Sequence, residues 1–479
     1  MRWPISPPCK YTMPPLHDSF AADLDPQAAA DSLSALNREL EAVPDKDPCA
    51  HRLMAADRRA RGDELGALAH LIAAQTLEAY ASEPLTASAT DLCKVATGFF
   101  TQGDLVSAAR WYRLALLLDP ALAVAYQNLA AIHARAGRVA ESESCRERAY
   151  RIQRVFVEPV DNPLRRVLIL CVGRTSGNVP FETLFSSRTA SRIMYAIDYA
   201  AEQEDGQLPP FDLVFNAVGD ADIAAPLGQR LDRFAQRCRR PLLNRPVAVA
   251  ATQRHRMSAL LGDLDDVVVA PCVRCDAAPL SPFALREYLA REGIEWPILA
   301  RPAATHGGDG LVRCESLEAL HDTLRCGGYS HYLTGFLDYR SADGYYRKYR
   351  MIFIDREPFP YHLAISSHWM VHYFSADMTS SVWKIDEESR FLQDPGTSLG
   401  RRALAAIAAI GRRLDLEYGG IDFTLLPDGR VLAFEANATM LVHRERNNGP
   451  LTHKNHHVQR IVDAFEQLQV RRTPIDASA

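Results

Sequence analysis

The stretch "YGGIDFTLLPDGRVLAFEANATMLVH", Tyr418 to His443, sets two carboxylates and a carboxamide inside strand-like apolar sequence. Asp422 lies in one run, Glu435 and Asn437 in the next, and Pro427–Gly429 marks a hairpin turn between them. Alternation at period two puts Glu435 and Asn437 on one face, and the hairpin brings Asp422 to the same neighbourhood. Burying unpaired acids is costly, so this placement calls for a partner. Two carboxylates and an amide oxygen are hard donors that suit Mg²⁺, with phosphate oxygens and water completing an octahedron.

Working upstream, "LGRRALAAIAAIGRRLDLEYGG" reads as a helix with an apolar stripe, stopped at Gly419 and Gly420. "YRKYRMIFIDREPFPYHLAIS" reads as two strands around a turn, and its alternation points Lys348 and Arg350 to one face. "WPILARPAATHGGDGLVRC" reads as strand, glycine-rich loop, strand. In that loop Gly307, Gly308 and Gly310, next to His306, let backbone N–H groups approach an anion. Before these, "RVLILCV" and "FDLVFNAVGD" are continuous apolar runs of the buried parallel-strand kind, and "PLLNRPVAVAATQRHRMSALL" is a third strand leading into a helix. The loop "GRTSGNVPFETLF" follows the first of these strands, where open α/β sheets bind ligands, and lacks the G-x-G-x-x-G of a dinucleotide site.

The first third differs. "TQGDLVSAARWYRLALLLDP" and "ARAGRVAESESCRERAYRIQ" align with Gly103 and Gly137 34 residues apart. Gly103, Ala108, Tyr112, Ala115 and Pro120 take the small, aromatic and breaker positions of one unit. Tyr126, Leu129, Ala130, Gly137 and Ala149 recur in the next, and Gly62, Ala67 and Ala74 mark a looser earlier copy. Paired amphipathic helices of this kind bury their stripes only by stacking on neighbours.

At 479 residues the chain exceeds one core. The expected division is a leader at 1–48 with one helix, a helical domain at 49–157, a first α/β domain at 162–254 and a second mixed domain at 255–470. A net charge of −5 argues against nucleic-acid and anionic-membrane partners. The ten cysteines lack a framework spacing, with Cys272 and Cys275 the one C-x-x-C, which suits free thiols in a reducing compartment. The N-terminus has no apolar core of the signal-peptide type, and no run approaches a membrane span. The expected location is cytoplasmic.

The order glycine-rich loop, basic strand, D…E-x-N hairpin resembles the ATP-grasp superfamily, on the side of glutathione synthetase and the ribosomal-protein-modifying ligases. The likeness covers roughly Val167 to Phe465, and the repeats resemble tetratricopeptide repeats. It implies tetratricopeptide helices, then an α/β pre-ATP-grasp domain, then an ATP-grasp fold, the whole of the α/β and α+β multidomain class. It implies ATP and two Mg²⁺ ions, with Mn²⁺ as a substitute, held by Asp422, Glu435 and Asn437, Glu435 bridging both. Arg254, after the "N-x-P" turn, and Arg301, ending the strand before the glycine loop, stand where the family usually has lysines. Both still offer charge and a planar fork to phosphate. The backbone near Tyr332 and Leu333 in "SHYLTGFLDYR" would meet the adenine edge, and Asp338 the ribose. Arg350, with Lys348 beside it, would neutralise the γ-phosphate and the acyl phosphate formed from it.

His362, His368 and His372 crowd "YHLAISSHWMVHYFSADM". His362 takes the place of a family arginine that holds the acyl intermediate, and His372 is a candidate donor or base toward an amine. One structural histidine with two exposed ones is the alternative. "HRERNNGPLTHKNHH" adds Asn447 or Asn448 as candidates for substrate contact. The resemblance therefore implies an ATP-dependent carboxylate–amine ligase acting on small molecules or peptides, the repeats recruiting a protein or peptide. A nucleotide-binding tetratricopeptide scaffold without chemistry and a kinase of a non-carboxylate acceptor stay open beside it.

Overall fold

The computed structural model describes residues 47–79, 86–173, 177–186, 188–276, 281–305, 307–327, 330–446 and 449–473. The expected leader helix, His306, Asn447 and Asn448 lie outside them. The described residues up to Phe156 form one compact unit and those from Val157 onward, Gly173 aside, form a second. No helix among the described residues is long and apolar enough to cross a membrane.

The first unit is helical: Pro48–Ala60, Glu64–Ala79, Thr86–Gln102, Leu105–Leu118, Ala123–Arg135 and Val139–Ile152. The turns after the first, third and fifth helices use Gly62, Gly103 and Gly137, all at positive φ (80°, 89° and 70°), which L side chains avoid. Asp104 caps the fourth helix by accepting from Ser107 N at 3.0 Å. Leu92, Ala96, Phe100, Ala108, Ala115, Ala125 and Leu129 surround the fully buried Tyr112. Its hydroxyl meets Thr97 Oγ1 at 3.0 Å and accepts from Asn128 Nδ2 at 2.8 Å.

A five-stranded sheet follows, ordered β1-β3-β2-β4-β5, its strands from β2 onward in the second unit. β1 is Val155–Glu158, β2 Arg165–Cys171, β3 Ala190–Ala196, β4 Leu213–Asn216 and β5 Leu242–Leu243. β2 pairs in parallel with both β3 and β4, and every residue of β2 from Val167 to Cys171 is buried, hence its unbroken apolar run. β3, "ASRIMYA", was hidden from sequence reasoning by its polar start.

Two more sheets follow. β6 is Val267–Val269, β7 Cys272–Cys275, β8 Ile298–Pro302, β9 Val312–Cys314 and β10 His331–Gly335. β11 is Tyr346–Ile354, β12 Glu357–Ser366, β13 Tyr418–Leu425 and β14 Val431–Asn437. One sheet runs β7-β10-β8-β9 and the other β12-β11-β13-β14-β6. The C-x-x-C pair therefore sits on an edge strand. The helix before β13 ends earlier than expected: it stops at Leu414, where Asp415 turns to φ 52°. Gly419 and Gly420 belong to β13 instead. A Cβ on Gly420 would lie 2.6 Å from Met351 O on the neighbouring strand, so close strand approach, not helix termination, requires glycine there.

Asn244 ties the first sheet to β13. At φ 57° its N–H donates to Glu417 Oε2 at 2.7 Å, its Nδ2 to Tyr418 O at 2.8 Å, and its Oδ1 accepts from Tyr418 N at 2.9 Å. The C-terminal helix Asn455–Arg472 adds Phe465, whose ring packs edge-on to Phe185, Phe215 and Tyr418. Asn244→Ala strips two backbone groups of their partners in a fully buried place. A loss of roughly 2–4 kcal/mol is expected in denaturant unfolding, and a loss under 0.5 kcal/mol would show that this clamp holds nothing.

Candidate functional site

The central sheet lines up the expected residues in one rung. Arg350 on β11 is the register partner of His362 on β12 and of Asp422 on β13, and Asp422 is the partner of Glu435 on β14. Bulges lie at Arg350/Met351 and at Asp422/Phe423. Such bulges re-aim side chains, here on either side of the rung. Asn437 pairs with Gly420 two residues along.

Cations converge on both acids. Arg350 grips Asp422 through two bonds, Nε to Oδ1 at 2.6 Å and Nη2 to Oδ2 at 2.9 Å, and Lys348 Nζ is 3.1 Å from Oδ2. Arg254 donates to Glu435 Oε2, and Arg301 Nη1 stands 3.6 Å from that same oxygen. Burial alone would raise both carboxyls, but the guanidinium and ammonium groups win. Asp422 is held far below the usual carboxylate range, and Glu435 falls to about 2. Burial, with Arg254 beside it, lowers Arg301 to about 10. The Asn437 Oδ1 accepts from Thr439 N at 2.9 Å and Thr439 Oγ1 at 3.0 Å.

These residues fit a hard divalent cation in donor type: two ionised carboxylates and an amide oxygen, adjacent across two strands. Their present partners are the protein's own cations, so a metal would enter by exchange. Four cationic side chains face these two carboxylates, and Asp220 is a third acid near Arg254 and Arg301, which leaves an excess of one positive charge. Beside them a cleft is lined by Asp220, Thr252, Gln253, Arg254, Thr305, Glu435, Asn437 and Thr439.

The glycine loop lies against the histidine segment. A Cβ on Gly307 would come 3.3 Å from His372 Nε2, and one on Gly308 3.4 Å from Met370 Sδ, with φ of 66° and 84°. Gly310 is also left-handed, at 67°. Burial and the nearby Lys348 and Arg350 lower the His372 pKa. His368 is exposed in the loop after β12.

Tyr332 and Leu333 sit on a central strand, paired to Arg274 and Val273 of β7 on one side and to Arg301 and Ala300 of β8 on the other. Their backbone groups face a neighbouring strand on both sides. Asp338 lies beyond β10 in an exposed segment, its carboxylate accepting from Arg340 N at 3.1 Å.

Sequence reasoning missed several groups. Asp222 accepts from Tyr332 Oη at 2.5 Å, Arg274 Nη1 at 3.1 Å and Ala304 N at 3.2 Å, so it binds the start of the glycine loop to the first sheet's module. Its signal was its place just past the carboxyl end of β4. Behind β12, Glu388 is fully buried and accepts from Tyr373 Oη at 3.0 Å and Leu363 N at 3.2 Å. Lys454, 1 % exposed, lies 4.0 Å from the centroid of the Tyr373 ring, 5.2 Å from that of Tyr361 and 3.1 Å from Glu445 Oε1. No local pattern marks these residues, because loops and a helix far apart in sequence assemble them.

Glu445 supplies a pH test. Burial opposes its ionisation, yet His443 and Lys454 hold its pKa at about 2, against an ordinary 4.5. A depressed acid stabilises the fold above its unfolded pKa and loses that contribution as pH falls through the folded value. About 3 kcal/mol is expected to disappear between about pH 4.5 and 2. Glu445→Gln should flatten that part of the acid-unfolding curve, and a wild-type slope in the variant would refute the pairing.

No family's sequence profile and no curated protein matches the chain. Solved structures do resemble it at a distance. VanG D-Ala:D-Ser ligase from Enterococcus faecalis shares 12% identity over 64% of this chain and 99% of its own, with a TM-score of 0.40. A RimK domain protein ATP-grasp from Sphaerobacter thermophilus shares 15% over 63% and 96%, at 0.38. The D-alanine–D-alanine ligase from Bacillus anthracis, complexed with ATP, shares 11% over 65% and 99%, at 0.37. At such identities and scores no residue's role is carried across.

Proposed function

We propose that the chain is an ATP-dependent ligase of the ATP-grasp type, which phosphorylates a carboxylate and joins the acyl phosphate to an amine. The observation that carries this is the rung: Lys348, Arg350, Arg254 and Arg301 meet Asp422 and Glu435 with positive charge to spare. A polyphosphate supplies the missing negative charge, and phosphoryl transfer depends chiefly on such positioning and charge stabilisation. Arg254 and Arg301 are suited to grip the phosphates, and Lys348 and Arg350 the transferred group. Asp422, Glu435 and Asn437 would hold Mg²⁺, which when bound neutralises charge on the phosphate oxygens. Gly307, Gly308 and Gly310 cover the phosphates and exclude water from the acyl phosphate. The adenine edge is assigned to the backbone of Leu337 and Asp338, just past the closed ladder of β10, with the Asp338 carboxylate toward the ribose. The helical hairpins, read as tetratricopeptide repeats, would take a peptide or protein partner.

The engagement of both acids by arginine also favours a second reading, a scaffold that binds nucleotide without turnover. ADP release from Mg-ATP, measured across pools of small acids, amino acids and short peptides, separates the two. Release stimulated by one pool is the expected result. Tight ATP binding with no pool-stimulated release favours the scaffold, and absence of both defeats the nucleotide reading altogether.

A further inference from the structure

His362 is the odd member of the rung. It is 4 % exposed, and its Nε2 has no hydrogen-bond partner among the described residues. An orphaned buried nitrogen costs roughly 1–3 kcal/mol, and a polar substrate group beside it would relieve that cost. On β12 it sits directly across from Arg350, the residue that faces the transferred group in the proposed reaction. The other two histidines of the segment are placed differently, His368 in solvent and His372 against the glycine loop.

What fixes the His362 ring is a buried polar box. The imidazole stacks on Tyr373, with centroids 4.6 Å apart and planes 22° from parallel. Tyr373 is pinned twice, by its hydroxyl on Glu388 and by Lys454 Nζ over its ring. Glu388 also takes Leu363 N, next to His362 on the strand, and Lys454 is itself caged by Tyr361, Tyr373 and Glu445. The charged and titratable groups around His362 are Arg350, Lys348, Asp422, Lys454, Tyr361 and Tyr373. Burial first, then Arg350 and Lys454, keep the imidazole neutral, the form that accepts a proton.

We propose that His362 is the proton acceptor for the attacking amine, and that Lys454, acting through Tyr373, is the residue that positions it. The inference rests on the ligase reading. In the second half-reaction the amine lone pair forms the C–N bond at the acyl carbon, and the bond from that carbon to the phosphate oxygen breaks. Phosphate leaves with the electron pair, and the proton shed by nitrogen passes to His362 Nε2. The amine therefore arrives on the β12 side of the rung, with the acyl phosphate between it and the acids. Among the described residues the carboxylates on that side, Glu445 and Glu388, are already engaged by Lys454 and by Tyr373 and Leu363 N, which leaves none to recognise a second positive group. The acceptor class that fits is a monoamine.

The test compares two nucleophiles, using the carboxylate pool that stimulates ADP release. Hydroxylamine is already a free base at neutral pH, and being so strong a nucleophile it can shed its one proton to water after attack. An alkylammonium must give up one proton to expose its lone pair and a second once the C–N bond forms, so it depends on a placed acceptor. In His362→Ala, amide formation should fall about 10²–10³-fold while hydroxamate formation stays within about three-fold of wild type. Added imidazole should restore part of the amide rate. Lys454→Met should show the same split, about ten-fold, without imidazole rescue, and Lys454→Arg should recover most of it. Equal loss with both nucleophiles, or amide formation untouched in His362→Ala, overturns the assignment. His362→Gln repeats the comparison if the alanine variant does not fold. Wild-type protein that forms no hydroxamate from any pool defeats the ligase reading itself, and this inference with it.

Discussion

Glu435→Gln is expected to lower pool-stimulated ADP release by about 10³-fold while leaving metal-free ATP binding intact or tighter. The substitution keeps size and shape but removes the charge that Arg254 and Arg301 share. The two guanidinium groups then face the phosphates without a competing carboxylate, and the site's positive excess rises. ATP alone should gain from this. Mg²⁺ should lose, since a neutral amide oxygen is a poorer ligand than a carboxylate for a hard cation. Titration calorimetry with ATP, with and without Mg²⁺, separates the effects: the metal's contribution to affinity should shrink in the variant. Turnover within ten-fold of wild type would remove Glu435 from the chemistry and with it the central claim about the rung.

How much of this was legible in sequence depends on the distance over which each contact forms. The Asp422–Glu435 pairing follows from one hairpin, and its turn at Pro427–Gly429 is written in residues a few positions apart: Gly429 N donates to Leu426 O at 2.8 Å, with Gly429 at φ 81°. Lys348 and Arg350 share a face through period two, and both do reach Asp422. The strand–loop–strand around the glycines is equally local. Contacts between distant segments were not legible in that way. Nothing near Tyr332 announces that β7 and β8 close both its edges, because β7 is only four residues of "CVRC", too short and mixed a run to stand out as a strand. Gly419 and Gly420 look like a helix stop, and only the approach of β11 shows why they lie in a strand. The box around His362 draws on residues from Tyr361 to Lys454, and a buried lysine over a tyrosine ring leaves no spacing to find.

Asp422→Asn should be the costliest single change in the second unit, and for a reason opposite to its likeness in shape. Asp422 is 2 % exposed and answers two cations, Lys348 and Arg350, which are themselves largely buried. Removing one partner of a buried charge cluster leaves the rest uncompensated, a loss of roughly 3–5 kcal/mol. For a unit of this size the expected fall in Tm is on the order of 10 °C. The sign of the repair is also fixed. A polyanion returns the missing negative charge, so ATP without metal should raise the variant's Tm by several degrees more than it raises that of wild type, since a ligand stabilises in proportion to its affinity for the folded state. Sulfate, with less charge and no reach along the cleft, should do so only weakly. A variant that melts within 2 °C of wild type would mean that Lys348 and Arg350 keep their hydration without Asp422, and the rung would then be a ladder of surface ion pairs. A large fall in Tm that ATP fails to repair would place the phosphates elsewhere.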